Sequence, residues 1–363
     1  MKVYVYAIAK NESKFVSRWA KWTKEADGAF VLDTGSTDDT VSLLKNEGVT
    51  VKEEKISPWR FDEARNRSLA LLPKDAQICV SADLDEVFDD GWRAEIEKAF
   101  ISGANLCSVR YVWSTDENGK EGVVFFTRKA HLFGSFLWRG IVHETIEPIP
   151  GASVTEAKVT GVSLRHYPDL NKSRAQYLPM LEQANLENPS DDRVAHYLGR
   201  EYFFHNQCDK AIDAFEKHLR LPTAVWKEER CASMRYLAEC YLIKGDEQSA
   251  LAWLLRAVAE YPHSREPWVA LGKLAYSTCD YDCAVWALTK ATKISSPSPS
   301  YINDPVCFSA LPYDLLSLSY YYTGRLDLAL ASSLKAVELE PNQARLVENE
   351  RFFRQALSKA EKP

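Results

Sequence analysis

The chain is poor in the features that would place it in a membrane, in a disulfide scaffold or on nucleic acid. No apolar run approaches the roughly 18 residues that cross a bilayer, so no membrane span is expected. The eight cysteines, at 79, 107, 208, 231, 240, 279, 283 and 307, include no CxxC pair. That leaves neither a zinc ribbon nor a dithiol redox motif. An excess of positive charge is also missing. The 45 Lys and Arg stand against 51 Asp and Glu, a net charge of −6, which disfavours a dedicated nucleic-acid binder. Residues 1–10 are too short and too strand-like for a secretory signal. A cytoplasmic protein with reduced, mostly buried thiols is the expectation.

What is present is a 363-residue globular composition, 46% apolar and 26% charged, long enough for two domains at roughly 150 residues each. Seventeen tyrosines and ten tryptophans are many for this length, and after residue 190 they fall at helical spacing among alanines. Four segments there share one frame: Leu198-Gly199 with Ala211-Ile212, Leu237-Ala238 with Ala250-Leu251, Leu271-Gly272 with Ala284-Val285, and Leu316-Ser317 with Ala329-Leu330. In each, a small residue precedes an alanine by the same interval, and Pro222, Pro262, Pro297 or Pro341 closes the unit. Gly245 and Gly324 mark the turn between the two helices of their units. This is the pattern of a tetratricopeptide repeat, in which a small residue on the first helix lets the second pack close. Residues 342–359 read as a capping helix. Such a solenoid offers a concave face to a peptide, another partner or a second copy of the chain. Most of its aromatics are expected to fill its core.

The first 170 residues alternate instead between short apolar strands and helical spacing. Strands are expected at 3–9, 29–32, 49–51 and 76–82, with helices at 15–24, 37–46 and 61–72, the second capped by Ser36 or Thr37. The alternation predicts an α/β domain with a mainly parallel, doubly wound sheet, in which ligands bind beyond the carboxyl ends of the strands. Asp33 and the pair Asp83-x-Asp85 fall at such ends. Two carboxylates one residue apart in a turn can converge on Mg²⁺ or Mn²⁺, which also takes phosphate oxygens.

Four strings in order resemble those of the family 2 nucleotide-sugar glycosyltransferases. They are Ala7-Ile8-Ala9-Lys10-Asn11-Glu12, Val31-Leu32-Asp33-Thr34-Gly35-Ser36-Thr37-Asp38-Asp39-Thr40, Glu63-Ala64-Arg65-Asn66 and Ala82-Asp83-Leu84-Asp85-Glu86. The resemblance implies a GT-A fold (Rossmann-like) over residues 1–170, followed by the all-α tetratricopeptide solenoid over 171–363. It implies a UDP-sugar donor, with Ala7, Ala9, Asn11, Glu12, Asp33, Gly35, Arg65, Asp83 and Leu84 around the nucleotide. Asp33 would contact the base, although Thr34 stands where the family has a second aspartate. Asp83, Asp85 and a late histidine, His166, would hold Mn²⁺ or Mg²⁺.

An inverting transferase needs a general base facing the acceptor. Glu144 is the leading candidate and His143 the second. Trp138 is a candidate to stack on a sugar ring, and Arg60 to add charge near the diphosphate. The coupling of such a domain to repeats is similar to that in peptide S-glycosyltransferases and related phage and bacterial enzymes. It implies a macromolecular acceptor: a peptide or protein first, then a hydroxymethylated base in phage DNA or a surface-glycan precursor. A repeat-mediated homodimer is a further expectation. The rival class is an interaction scaffold whose transferase-like domain has lost activity.

Overall fold

The computed structural model describes residues 1–116, 119–169 and 176–360. The chain forms two compact units, Met1–Ala184 and Asn185–Pro363. The boundary expected between residues 170 and 171 lies outside the described residues.

The first unit opens with β1 (Val3–Ala9), α1 (Ser13–Thr23), β2 (Gly28–Asp33), α2 (Thr40–Asn46), β3 (Thr50–Glu53), α3 (Phe61–Leu69) and β4 (Ile78–Ser81), the expected alternation. It continues with β5 (Glu86–Phe88), α4 (Trp92–Ile101), β6 (Leu106–Val112), β7 (Val124–Leu132), β8 (Phe136–Arg139), β9 (Thr145–Pro148), β10 (Glu156–His166) and α5 (Tyr177–Glu187). One eight-stranded sheet has the order β3-β2-β1-β4-β7-β6-β10-β5, and β8 pairs with β9 beside it.

β1 is buried on both faces. Val3, Val5, Ala7 and Ala9 point into a core shared with α1 and α4, whereas Tyr4 and Tyr6 point into a second core with α3, β8 and β9. That is why the strand reads as an unbroken apolar run. The sheet is mixed: four of its seven strand pairs are parallel, as expected, and β4–β7, β7–β6 and β10–β5 are antiparallel. The alternation that the sequence shows ends at β4, where antiparallel pairing begins. Even so, β10 runs parallel to β6 and so in the direction of β1 and β4, which brings its last residue, His166, to the sheet edge where β1, β2 and β4 end.

The expected cap of the second helix is corrected. α2 begins at Thr40 with Asp39 at its N-cap position, and neither Ser36 nor Thr37 caps it. Ser36 instead donates to Asp33, and the Thr37 N–H donates to Asn11 Oδ1 at 2.7 Å.

The second unit is all helical: α6 (Asp192–Phe204), α7 (Cys208–Arg220), α8 (Lys227–Ile243), α9 (Glu247–Glu260), α10 (Arg265–Ser277), α11 (Tyr281–Thr292), α12 (Leu311–Tyr322), α13 (Leu326–Leu339) and α14 (Ala344–Ala360). These are the four expected pairs and the capping helix. The small residues act as read. A Cβ on Gly199 would meet the Phe215 ring at 2.7 Å, and one on Gly272 would meet Leu288 at 2.5 Å, so both positions need the missing side chain for helix contact. Each pair also turns through one left-handed residue, at Asn206, Gly245, Cys279 and Gly324. These occupy the same position of the frame, so two repeats carry a strained residue where the others have glycine. Of the aromatics, Trp268 is buried and Trp286 exposed.

Five of the eight cysteines are buried, two are half-buried, and Cys279 is exposed. No helix among the described residues is long and apolar enough to cross a membrane.

Cys279→Gly relieves the left-handed backbone and should stabilise the chain by about 1 kcal/mol, whereas Gly245→Ala should destabilise it by about the same amount. Thermal unfolding of both variants checks the pair. His131 offers a separate test. It is fully buried, its pKa pushed by burial down to about 4. The folded state therefore resists a proton that the unfolded chain accepts near 6.5. Stability is complete above pH 6.5 and falls between 6.5 and 4, by at most about 1.4 kcal/mol per pH unit from this group. Urea unfolding across that range should show a shallower acid slope in His131→Gln.

Candidate functional site

The Arg65-Asn66 dipeptide of α3 organises the edge of the sheet in the first unit. Ala64, just before it, is fully buried and brings the helix close to the strands. Asn66 makes a double hydrogen bond to the backbone of Trp138 in β8, accepting from its N–H and donating to its carbonyl, both at 2.9 Å. Ser68 donates to the Ala7 carbonyl at 2.6 Å, tying the helix to β1. Arg65 is thereby fixed between two acids. It donates to both oxygens of Asp83 at 2.7 and 2.9 Å, and through Nε to Glu144. Its guanidinium lies 4.7 Å from the centre of the Trp138 ring. Burial pulls the Arg65 pKa down, but Asp83 and Glu144 hold it well above its ordinary value. Burial would raise the pKa of Asp83, and the charge and hydrogen bonds of Arg65 reverse that, keeping the carboxyl well below the usual carboxylate range.

The turn after β4 is held from below by Glu86. Its Oε2 accepts from the Asp83 N–H at 2.8 Å, and its carboxylate pairs with the buried Lys129 at 2.7 and 2.8 Å and accepts from Tyr111 Oη at 2.6 Å. Lys129 and Tyr111 do not stand out in the sequence, because β6 and β7 carry no marker linking them to Glu86. Asp85, two residues beyond Asp83, faces His166, with Oδ2 3.5 Å from Nε2. His166 in turn stacks on Trp113 with ring centres 4.3 Å apart, and Nδ1 lies 3.1 Å from the Trp113 carbonyl.

The segments after β1 and β2 interlock beside this turn. Thr34 N–H donates to the Ala9 carbonyl at 2.8 Å, Asn11 N–H to Ser36 Oγ at 2.8 Å, and Glu12 N–H to Thr40 Oγ1 at 2.7 Å. Asp33 closes its own loop, accepting from the N–H groups of Gly35 and Ser36 at 3.0 and 2.9 Å and from the Ser36 hydroxyl.

Several expected site residues are corrected by this geometry. Ala7, Ala9 and Leu84 turn their side chains into the core, so only their backbone is available to a ligand. Trp138 is 7% exposed, its indole N–H donates to Tyr6 Oη at 2.7 Å, and Arg65 covers its ring, so no face is left for a sugar. Two aromatics at this edge are exposed, Trp113, which the sequence did not mark, and Tyr167, whose N–H donates to the Asp85 carbonyl at 2.8 Å. Asp83, Asp85 and His166 are not drawn together as one three-ligand group, for Asp83 is engaged by Arg65. Arg60 pairs with Asp62 at 3.0 Å. His143 has a left-handed backbone and stacks with Tyr177 at 5.8 Å.

In the second unit a cavity of ≈ 430 Å³ is lined by Arg200, Phe203, Arg235, Tyr236 and Lys273 on the first helices of successive pairs, and by residues 301–307. The buried Nε atoms of Arg200 and Arg235 have no hydrogen-bond partner. Glu239, Glu266 and Asp304 also line it, so both signs of charge are present.

A tetratricopeptide repeat model matches residues 312–343, which span α12 and α13. Solved structures of tetratricopeptide proteins match about half of the chain. YrrB, described as having an unusual peptide-binding site, is 19% identical, with 49% of this chain and 83% of that one covered at a TM-score of 0.37. A thermophilic tetratricopeptide protein of Thermus thermophilus is 21% identical, with 49% and 89% covered at 0.35. No curated protein matches the chain. The carboxyl-terminal unit is a helical solenoid of the tetratricopeptide type.

Arg65→Leu should strand the Asp83 and Glu144 carboxylates and destabilise the chain by about 3 kcal/mol. Arg65→Lys keeps the charge without the fork geometry and should lose less. Urea unfolding followed by circular dichroism measures both.

Proposed function

We propose that the amino-terminal unit is a family 2 glycosyltransferase of GT-A fold that transfers a sugar, with inversion, from a UDP-sugar to a macromolecular acceptor. One observation carries this reading. Four strings separated in the sequence meet at one sheet edge and are joined there by hydrogen bonds and ion pairs, from Ala9–Thr34 to Arg65–Asp83. In an open α/β sheet that edge is where ligands bind.

In this proposal Asn11, Glu12 and Gly35 border the base, and Asp33 shapes that border through its loop. Arg65 and Asp83 face the ribose and diphosphate. Asp85 and His166 offer a carboxylate oxygen and an imidazole nitrogen 3.5 Å apart, a donor pair suited to Mn²⁺ and, less well, Mg²⁺. Bound there, the cation would neutralise the charge of the diphosphate leaving group. Trp113 replaces Trp138 as the aromatic platform for a sugar.

Glu144 is the general base, with His143 as the second candidate. The acceptor hydroxyl or thiol gives its proton to Glu144 as its oxygen or sulfur bonds to the anomeric carbon. The bond from that carbon to the diphosphate oxygen breaks, and its electron pair leaves with UDP. Arg65, bonded to Glu144, fixes the carboxylate's orientation. The cavity lined by Arg200 and Arg235 is assigned to the acceptor, and its mixed charge favours a peptide over DNA phosphates.

Mass spectrometry of peptide and modified-DNA acceptors, incubated with UDP-sugars and Mn²⁺, tests the proposal. Transfer to a peptide is expected. Asp85→Ala should lower turnover by about 100-fold or more with the fold intact. Glu144→Gln should lower kcat by a similar factor without weakening donor binding. Absence of both turnover and UDP binding in the unaltered chain would leave the interaction-scaffold reading standing.

A further inference from the structure

The second unit buries a group of side chains that neither the transferase proposal nor the repeat packing uses. In a solenoid of alternating helices, the last turn of one helix lies beside the first turns of its neighbours. His218 sits in the last turn of α7, Asp192 in the first turn of α6 and Glu229 in the first turn of α8. Their donor atoms all lie within 4.8 Å of one another. His218 and Glu229 are buried, and Asp192 is half-buried.

The histidine is held as a ligand would be. Ser233, fully buried, has its hydroxyl 2.9 Å from His218 Nδ1 and 2.8 Å from Nδ1 of His196. A hydroxyl has one proton, so it donates to one ring and accepts from the other. With His218 Nδ1–H donating to Ser233, His218 Nε2 carries a lone pair. That nitrogen is fully buried, has no hydrogen-bond partner, and faces Glu229 Oε2 at 3.5 Å. A lone pair facing two carboxylates is repulsive unless a cation lies between them. In the opposite arrangement an N–H points at Glu229 in a long contact of 3.5 Å, and a metal ion binding there would displace that proton. Tyr301 Oη donates to the other Glu229 oxygen at 2.6 Å, fixing the carboxylate from outside, as partners of metal ligands do.

We propose that Asp192, His218 and Glu229 form a zinc site in the second unit, with Ser233 and Tyr301 orienting the ligands. One nitrogen and two carboxylate oxygens, with water completing a tetrahedron, suit Zn²⁺. Closing the three atoms to the roughly 3.3 Å separations of a tetrahedral site requires only small side-chain movements. The site ties three successive helices together and braces the turn into the repeat array.

The test uses the full chain carrying Asp85→Ala, which removes the separate cation site proposed for the first unit. After treatment with a chelator and dialysis against micromolar Zn²⁺, metal analysis should find one zinc per chain. The thermal midpoint should rise by about 5 °C over the metal-free protein. Adding Asp192→Asn, a half-buried position at a helix start, or Glu229→Gln should abolish both effects while helical circular dichroism persists. Co²⁺ should give the visible absorption of a tetrahedral site in the parent and not in these variants. No zinc retained by the Asp85→Ala chain, or equal retention in Asp192→Asn, would overturn the proposal and leave His218 and Glu229 as a buried polar pair.

Discussion

The amino-terminal unit depends on the burial of one guanidinium between two carboxylates. Arg65 is 8% exposed, and both acids come from segments that share no strand or helix with it: Asp83 from the turn after β4, Glu144 from the loop after β8. An arginine left alone at that depth would be costly, so the two loops are held where their charges meet it. Asn66 and Ser68 carry the same helix onto β8 and β1, which makes α3 the brace for the whole edge. Glu86 does for Asp83 from beneath what Arg65 does from above, with Lys129 as its counter-charge. The edge is thus built from paired charges whose partners lie far apart in the chain, and its shape persists only while every pair is complete.

The solenoid is built on volume rather than charge. Gly199 and Gly272 admit Phe215 and Leu288 into van der Waals contact, and Ala238 and Ser317 take the same place in the other pairs. The turn between paired helices is set by a left-handed residue at a fixed point in each unit. Where glycine is absent, at Asn206 and Cys279, the packing of the pair over-determines the turn enough to hold the strained backbone. The repeat is therefore defined more strictly by its geometry than by its residues.

This difference explains what could be read in advance. The helical pairs were legible because close approach imposes small residues at a fixed interval, and prolines mark the ends. The first four strands were legible from their apolar runs and the turns that follow. β5 to β10 were not: β6 is buried at six of its seven positions yet carries Ser108 and Arg110, β7 is largely half-buried, and their pairing is fixed by partners remote in sequence and by buried charges such as Lys129. Arg65, Asp83 and Glu144 each stood out by local pattern, but nothing in the sequence shows that one arginine joins the other two. The period-two alternation of β1 already places Ala7 and Ala9 with Val3 and Val5, on a face packed against helices. Trp138 carried no such sign, for its burial depends on Tyr6 and Arg65, both remote in sequence.

Cys279 has a practical consequence for chemistry on the intact molecule. Its seven fellow cysteines are buried or half-buried, five of them buried, whereas Cys279 is an exposed residue at a helix turn. Mild alkylation should therefore favour a single position. A dye or spin label attached there would sit at the junction of α10 and α11 and report on the solenoid.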